Sequence, residues 1–120
     1  MKNDRYEVVC AVVDSGFAED VMEAARACGA RGGTIVNARG VANEEAAAFF
    51  GISLHTEKEL VLIVVPKTIK DDVLTAVYRE LGMAKKAHGI AFSLPVTDIA
   101  GLVEQESAEK QSDSDSEAEP

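Results

Sequence analysis

Three short stretches of this 120-residue chain have the chemistry to hold an anion. They are Arg31-Gly32-Gly33, Arg39-Gly40 and Lys85-Lys86-Ala87-His88-Gly89. Glycines let backbone amides approach a phosphate closely, and lysine and arginine supply the charge. The same residue types are also ordinary in turns and solvated loops, and His88 reads first as a partly exposed loop residue. Little else suggests bond making or breaking. The chain has no Gly-x-Ser-x-Gly turn, no Walker loop and no dinucleotide glycine fingerprint. Glu44 and Glu45 are neighbours, and neighbours on a helix point apart. They read as a solvated helix start, not a catalytic pair. Cys10, Cys28, His55 and His88 have no tight pair spacing, so no metal is expected.

Composition narrows the partners. The net charge is −9, but residues 104–120 hold seven acids and one lysine, so the rest of the chain is only mildly acidic. No basic face stands out, and non-specific nucleic-acid binding needs one. DNA and RNA are therefore not expected. The charged start (Lys2, Asp4, Arg5) lacks a following apolar run with a cleavage site, which predicts a reduced, cytoplasmic setting. Both cysteines are then expected to act as buried small hydrophobes. No apolar run approaches the roughly 20 residues that span a bilayer.

Periodicity along the chain gives the elements that must carry those loops. Tyr6–Val13 reads as a strand, broken by Asp14-Ser15-Gly16. Phe17, Val21, Ala24, Ala25 and Cys28 follow helical spacing, with Glu19 and Asp20 in the first turn, where the dipole favours acids. Gly29, Gly32 and Gly33 end that helix. Thr34–Ala38 is a second strand. Residues 41–56 are the least decided, although Asn43–Phe50 has helical propensity and Gly51 stops it. Leu60–Val65 is the strongest strand, ended by Pro66. Thr68 with Asp71 resembles a capping box. Ile69, Val73, Ala76, Val77 and Leu81 form the buried stripe of the helix that follows, which Gly82 ends. A polar loop runs from Met83 to Gly89. Ile90–Val96 is the last strand, and Pro95 suggests a sheet edge. A final turn is read over Asp98–Val103.

The order is βαββαβ. That is an α+β, ferredoxin-like domain over residues 1–103: a four-stranded antiparallel sheet with two helices on one face. A sheet with one wet face alternates apolar and polar residues. Strands 8–13 and 60–65 do not, and two helices cover only one face. The simplest cover for the other is another copy of the chain, so an oligomer with facing sheets is expected. Acylphosphatase, an enzyme on this fold, carries an arginine in a phosphate loop after its first strand. The matching Asp14-Ser15-Gly16 has no basic residue, which argues against that activity.

"GGTIVNARG" (Gly32–Gly40), a variable loop, "LVLIVVP" (Leu60–Pro66), a helix, and "HGIAFSLPV" (His88–Val96) resemble the nitrogen-regulatory PII superfamily. The likeness spans about residues 6–102 and is strongest to divergent PII-like members, which are often encoded beside a multi-spanning membrane protein. It implies a homotrimer with effector clefts between subunits, binding without necessary turnover, and a cytoplasmic regulatory role. Gly40–Thr56 matches the T-loop, which contacts a partner protein such as a membrane transporter. Residues 82–89 match the B-loop. Thr34 matches a threonine beside the adenine, and backbone groups around Leu62, Ile63 and Val64 match those that hold the base. Gly40 matches the glycine at the T-loop root, Lys58 a lysine near the cleft, and Gly89 a phosphate-loop glycine. Arg39 stands at the same root.

The pattern also departs from the family. Core members carry Thr-Gly-x-x-Gly-Asp-Gly-Lys, where this chain keeps only Gly82 and Gly89 and ends on Ile90. The family's C-terminal arginines fall near Gly101 and apolar residues, and the T-loop lacks its tyrosine and its Gly-Phe-Gly-Arg-Gln signature. These changes weigh against ATP in the usual pose and against 2-oxoglutarate with magnesium. Lys85, Lys86 and His88 are the candidates to replace the lost donors, so AMP or ADP is the easier effector, and no cofactor is obligatory. Phe49 and Phe50, with Glu44 and Glu45, offer a partner patch, or Ala46–Phe50 packs on a neighbouring subunit. A trimeric binding or structural module without nucleotide, like the metal-tolerance relatives on this fold, is the alternative. The Ser/Asp/Glu-rich tail (104–120) is expected to be disordered, either as a solvated tail or as one modified at Ser112, Ser114 or Ser116.

Overall fold

The computed structural model describes residues 2–41, 44–45, 49, 56–83 and 89–101. Its elements run β1 (Tyr6–Asp14), α1 (Ala18–Ala27), β2 (Thr34–Arg39), β3 (Glu57–Pro66), α2 (Lys67–Tyr78), a π-helical turn (Arg79–Met83) and β4 (Gly89–Pro95). The sheet order is β2-β3-β1-β4, and every neighbouring pair is antiparallel. The expected ferredoxin-like sheet is present. β4 is an edge strand, as Pro95 required, because a proline cannot donate into a second ladder.

The core lies between the helices and one sheet face. Val9, Ala11 and Val13 of β1 and Val61, Ile63 and Val65 of β3 are fully buried there. They meet Ala18, Val21, Met22 and Ala25 of α1, spaced at helical period, and Val73 and Val77 of α2. Leu81, in the π-helical turn, extends the same stripe. Each fully buried aliphatic side chain contributes about 1.5–3 kcal/mol relative to exposure. α1 ends where Gly29 takes φ +108, a conformation open to glycine and unfavourable for residues with a Cβ. Its amide bonds back to Arg26 O at 3.0 Å.

Several boundaries differ from the sequence reading. β1 runs to Asp14, and β3 begins at Glu57, three residues before the apolar run. α2 starts directly at Lys67, with no side-chain cap at Pro66. The Thr68–Asp71 capping box is therefore not made. The helix begins earlier, the Lys67 amide bonds to Arg5 O at 2.8 Å, and Asp71 instead pairs with Lys70 at 2.8 Å. Asp98 forms no turn up to residue 101. It bridges to Lys2, while the Asn3 side chain bonds Tyr6 O and Val96 O, fastening the two ends of the domain together. Cys10 is buried, but Cys28 is only half-buried, with Sγ 3.6 Å from Asp72 O.

Candidate functional site

The sheet face away from the helices is apolar, and among the described residues no helix covers it. Register places Val8, Val64 and Leu94 in one row; Cys10, Leu62, Phe92 and Thr34 in the next; and Val12, Leu60, Ile90 and Val36 in a third. In those rows Val36, Val64, Phe92 and Leu94 remain 38–48% exposed. The expected lack of alternation is thus real, and it leaves an apolar surface on one side of the domain.

The hairpin of β2 and β3 sorts the candidate residues into two groups. Thr34 begins β2 opposite Leu62. Beyond that pair β3 continues through Ile63 and Val64 to Pro66 without a β2 partner among the described residues. Its backbone there makes no strand pair on that side, unlike the paired part. The Ile63 side chain is fully buried toward the helices, so only its backbone is available, whereas Val64 is 41% exposed on the open face. Gly33 lies against this region, where a Cβ would come within 2.9 Å of Leu62 O. Arg31 is exposed nearby along the chain.

The second group sits at the other end of the hairpin, roughly 13 Å along the strands at about 3.3 Å per residue. Ala38 faces Lys58 and Arg39 faces Glu57. The Gly40 amide bonds to Thr56 O at 2.7 Å, closing the neck of residues 41–55. Lys58 is buried, with its ammonium 2.8 Å from Asp14 Oδ1. Gly89 opens β4 opposite Val13 at this same end of the sheet. A Cβ there would collide with the Val12 carbonyl, so the tight start of β4 requires glycine. Val41, Glu44, Glu45 and Phe49 are exposed beyond the neck. Lys85, Lys86, His88 and Phe50 lie outside the described residues, as does the acidic tail.

Glu59 and Asp14 were not singled out as functional from the sequence. Glu59 Oε1 accepts hydrogen bonds from Gly16 N at 3.0 Å and Ala18 N at 3.1 Å, which caps α1 from a different strand. The helix dipole thus has a carboxylate of the chain itself at its positive end. The available signal was the charged Glu57-Lys58-Glu59 run heading an otherwise apolar strand. No group of three or more metal-capable side chains occurs among the described residues. Among them, no helix is long and apolar enough to cross a membrane.

Comparison with known proteins agrees with this architecture. The structure is similar to a PII-like signalling protein of Thermus thermophilus at TM-score 0.58 and 18% identity, covering 82% of this chain and 94% of that one. It is similar to Arabidopsis thaliana PII bound to citrate at TM-score 0.61 and 23% identity, covering 83% and 82%. It is also similar to CPII of Thiomonas intermedia bound to ADP, AMP and acetate, at TM-score 0.58 and 12% identity, covering 80% and 90%. No curated protein sequence matches it. The family described as nitrogen regulatory protein P-II matches over residues 6–106, which take in all four strands and both helices, and the chain belongs to that family.

Proposed function

We propose that this chain is a non-catalytic signalling protein that senses an adenine nucleotide and passes the signal to a partner through residues 40–56. The observation that carries the ligand reading is the β2–β3 hairpin. Thr34 and Leu62 sit side by side where β3 leaves its partner, so hydroxyl and open backbone edge are presented together. That pairing suits a flat, hydrogen-bonding base. In this proposal Lys85, Lys86 and His88 supply the phosphate charge. CPII, which shares the fold, is bound to ADP and AMP, which supports an adenylate as the effector class.

The working unit in this proposal is a homotrimer. Its support is the apolar open face, which a monomer would leave in water. The partner is a membrane transport protein contacted by Glu44, Glu45, Phe49 and Phe50. The free thiols of Cys10 and Cys28 suit a cytoplasmic setting.

Isothermal titration with AMP, ADP and ATP, each with and without magnesium, tests the ligand. The expected result is saturable binding of AMP or ADP that is lost in the Lys85→Ala/Lys86→Ala double variant. No heat with any of the three would overturn the nucleotide claim and leave the trimeric module without nucleotide. Sedimentation equilibrium tests the assembly separately. The expected mass is that of three chains, and a single-chain mass at all concentrations would refute it.

A further inference from the structure

Three consecutive residues at the start of β3 all grip the same turn. The Glu57 carbonyl accepts the Ser15 amide at 3.1 Å. The Lys58 ammonium reaches Asp14 Oδ1 at 2.8 Å, with both side chains at most 11% exposed. The Glu59 carboxylate accepts the Gly16 and Ala18 amides at 3.0 and 3.1 Å. One residue earlier, Thr56 O takes the Gly40 amide. Gly40 also lies on the Lys58 stem, where a Cβ would come within 2.8 Å of Cε. The strand alternation makes the grip two-sided: Lys58 holds the turn from the open face, while Glu59, opposite Val13, holds it from the helix face.

We infer that Glu57–Glu59 is a clamp that couples the first turn of α1 to the Gly40–Thr56 neck, with Lys58 and Asp14 as its positioning pair. The physical reason is the cost of burying charge. A buried ion pair is favourable only while both partners stay in good geometry, and losing that geometry leaves each charge less well compensated for its lost hydration. A lysine released from Asp14 lowers its energy by swinging its head to water. That movement removes the surface on which Gly40 rests. A displacement of the 14–18 turn is therefore felt at the neck, and a displacement of the neck is felt at α1. The clamp needs no ligand, so it stands whether or not a nucleotide binds.

Amide hydrogen exchange, read residue by residue on the full chain, tests the coupling. Glu59→Ala removes the carboxylate that holds Gly16 and Ala18, whereas the Gly40 amide is held by Thr56 O. Coupling predicts that exchange at the Gly40 amide nonetheless speeds up by roughly tenfold, while Val61 and Ile63 in the core change by less than about twofold. Acceleration confined to Gly16 and Ala18 would overturn the inference, and so would equal acceleration at Val61 and Ile63. Asp14→Asn removes the carboxylate charge 2.8 Å from the Lys58 ammonium and should open the neck further. Adding Lys58→Met, which keeps the stem and removes the charge, should restore slow exchange at Gly40. Failure of the double variant to restore it would count against Lys58 and Asp14 as the positioning pair.

Discussion

The two faces of this sheet are built from the same residue types and meet different fates. On the helix side, Val9, Ala11, Val13, Val61, Ile63 and Val65 have no exposed surface. On the open side, Val64, Phe92 and Leu94 keep 38–48% of theirs, although they come from the same sheet. Burial in this molecule is therefore not set by residue hydrophobicity. For these aliphatic residues it is set by whether an amphipathic helix folds back onto their face. Among the described residues nothing covers the open face, and a contiguous apolar surface of this kind is typical of interaction sites.

The largest expected effect lies on the covered face. Ile63→Ala should cost about 2–5 kcal/mol, because the space it leaves between β3, α1 and α2 cannot collapse fully. The shift in urea midpoint measures it, and a cost below about 1 kcal/mol would mean that the helices are loosely packed there. On the open face, Leu94→Glu should act on assembly instead. It places a charge in the Val8–Val64–Leu94 row of an edge strand, so sedimentation equilibrium should show the mass falling toward a single chain. If the mass of Leu94→Glu equals that of the unaltered chain, this row is not a contact between copies, and the contrast between the faces loses its meaning.

The parts of the fold that depend on local pattern were legible in the sequence. The Val8–Val13 run, the helical spacing of Val21 and Ala25, the glycine stop at Gly29 and the edge position implied by Pro95 all depend on neighbours within a few residues. The uncovered face was legible too, because a missing alternation is visible in one strand at a time. Pairings across the chain were not. Glu59 reaches a residue 41 positions away, and Lys58 finds Asp14 across 44. Read locally, Asp14 was only a strand breaker, and the strand was read as starting at Leu60, past Glu57-Lys58-Glu59. Burial of Lys58 became reasonable only once register set an acid beside it. The candidate site shows the same division. Thr34 and Leu62 come together through the register of β2 on β3, whereas no local rule says what Lys85 and Lys86 face.

A smaller effect is expected at the clamp. Glu59→Ala should lower stability by about 1 kcal/mol, the usual scale for loss of a helix N-cap. The cap is unusual in coming from β3, so the loss should appear as faster fraying of α1 and not as a weaker sheet. Circular dichroism against urea, with exchange at Val21 and Val61 as local reporters, separates the two. Equal loss at both reporters would mean that Glu59 supports the sheet itself.

The subtlest comparison uses Cys10, which sits on the open face yet is only 3% exposed. Its row neighbours Leu62 and Phe92 shield it, and burial raises its thiol pKa above the ordinary value. The folded chain therefore holds this proton more tightly than the unfolded chain. The resulting stability is fully present below the ordinary thiol pKa and is lost as pH rises through that value toward the folded one, with a slope of at most about 1.4 kcal/mol per pH unit. Cys10→Ala removes the titration, so its urea midpoint should fall less than that of the unaltered chain between about pH 8 and 10. Reaction with a thiol reagent adds the structural half of the test. Half-buried Cys28 should react first, and Cys10 should slow further as protein concentration rises, because a second copy laid on the open face closes the row completely. A Cys10 rate independent of concentration would mean that Leu62 and Phe92 alone provide the shielding, and that the open face stays open.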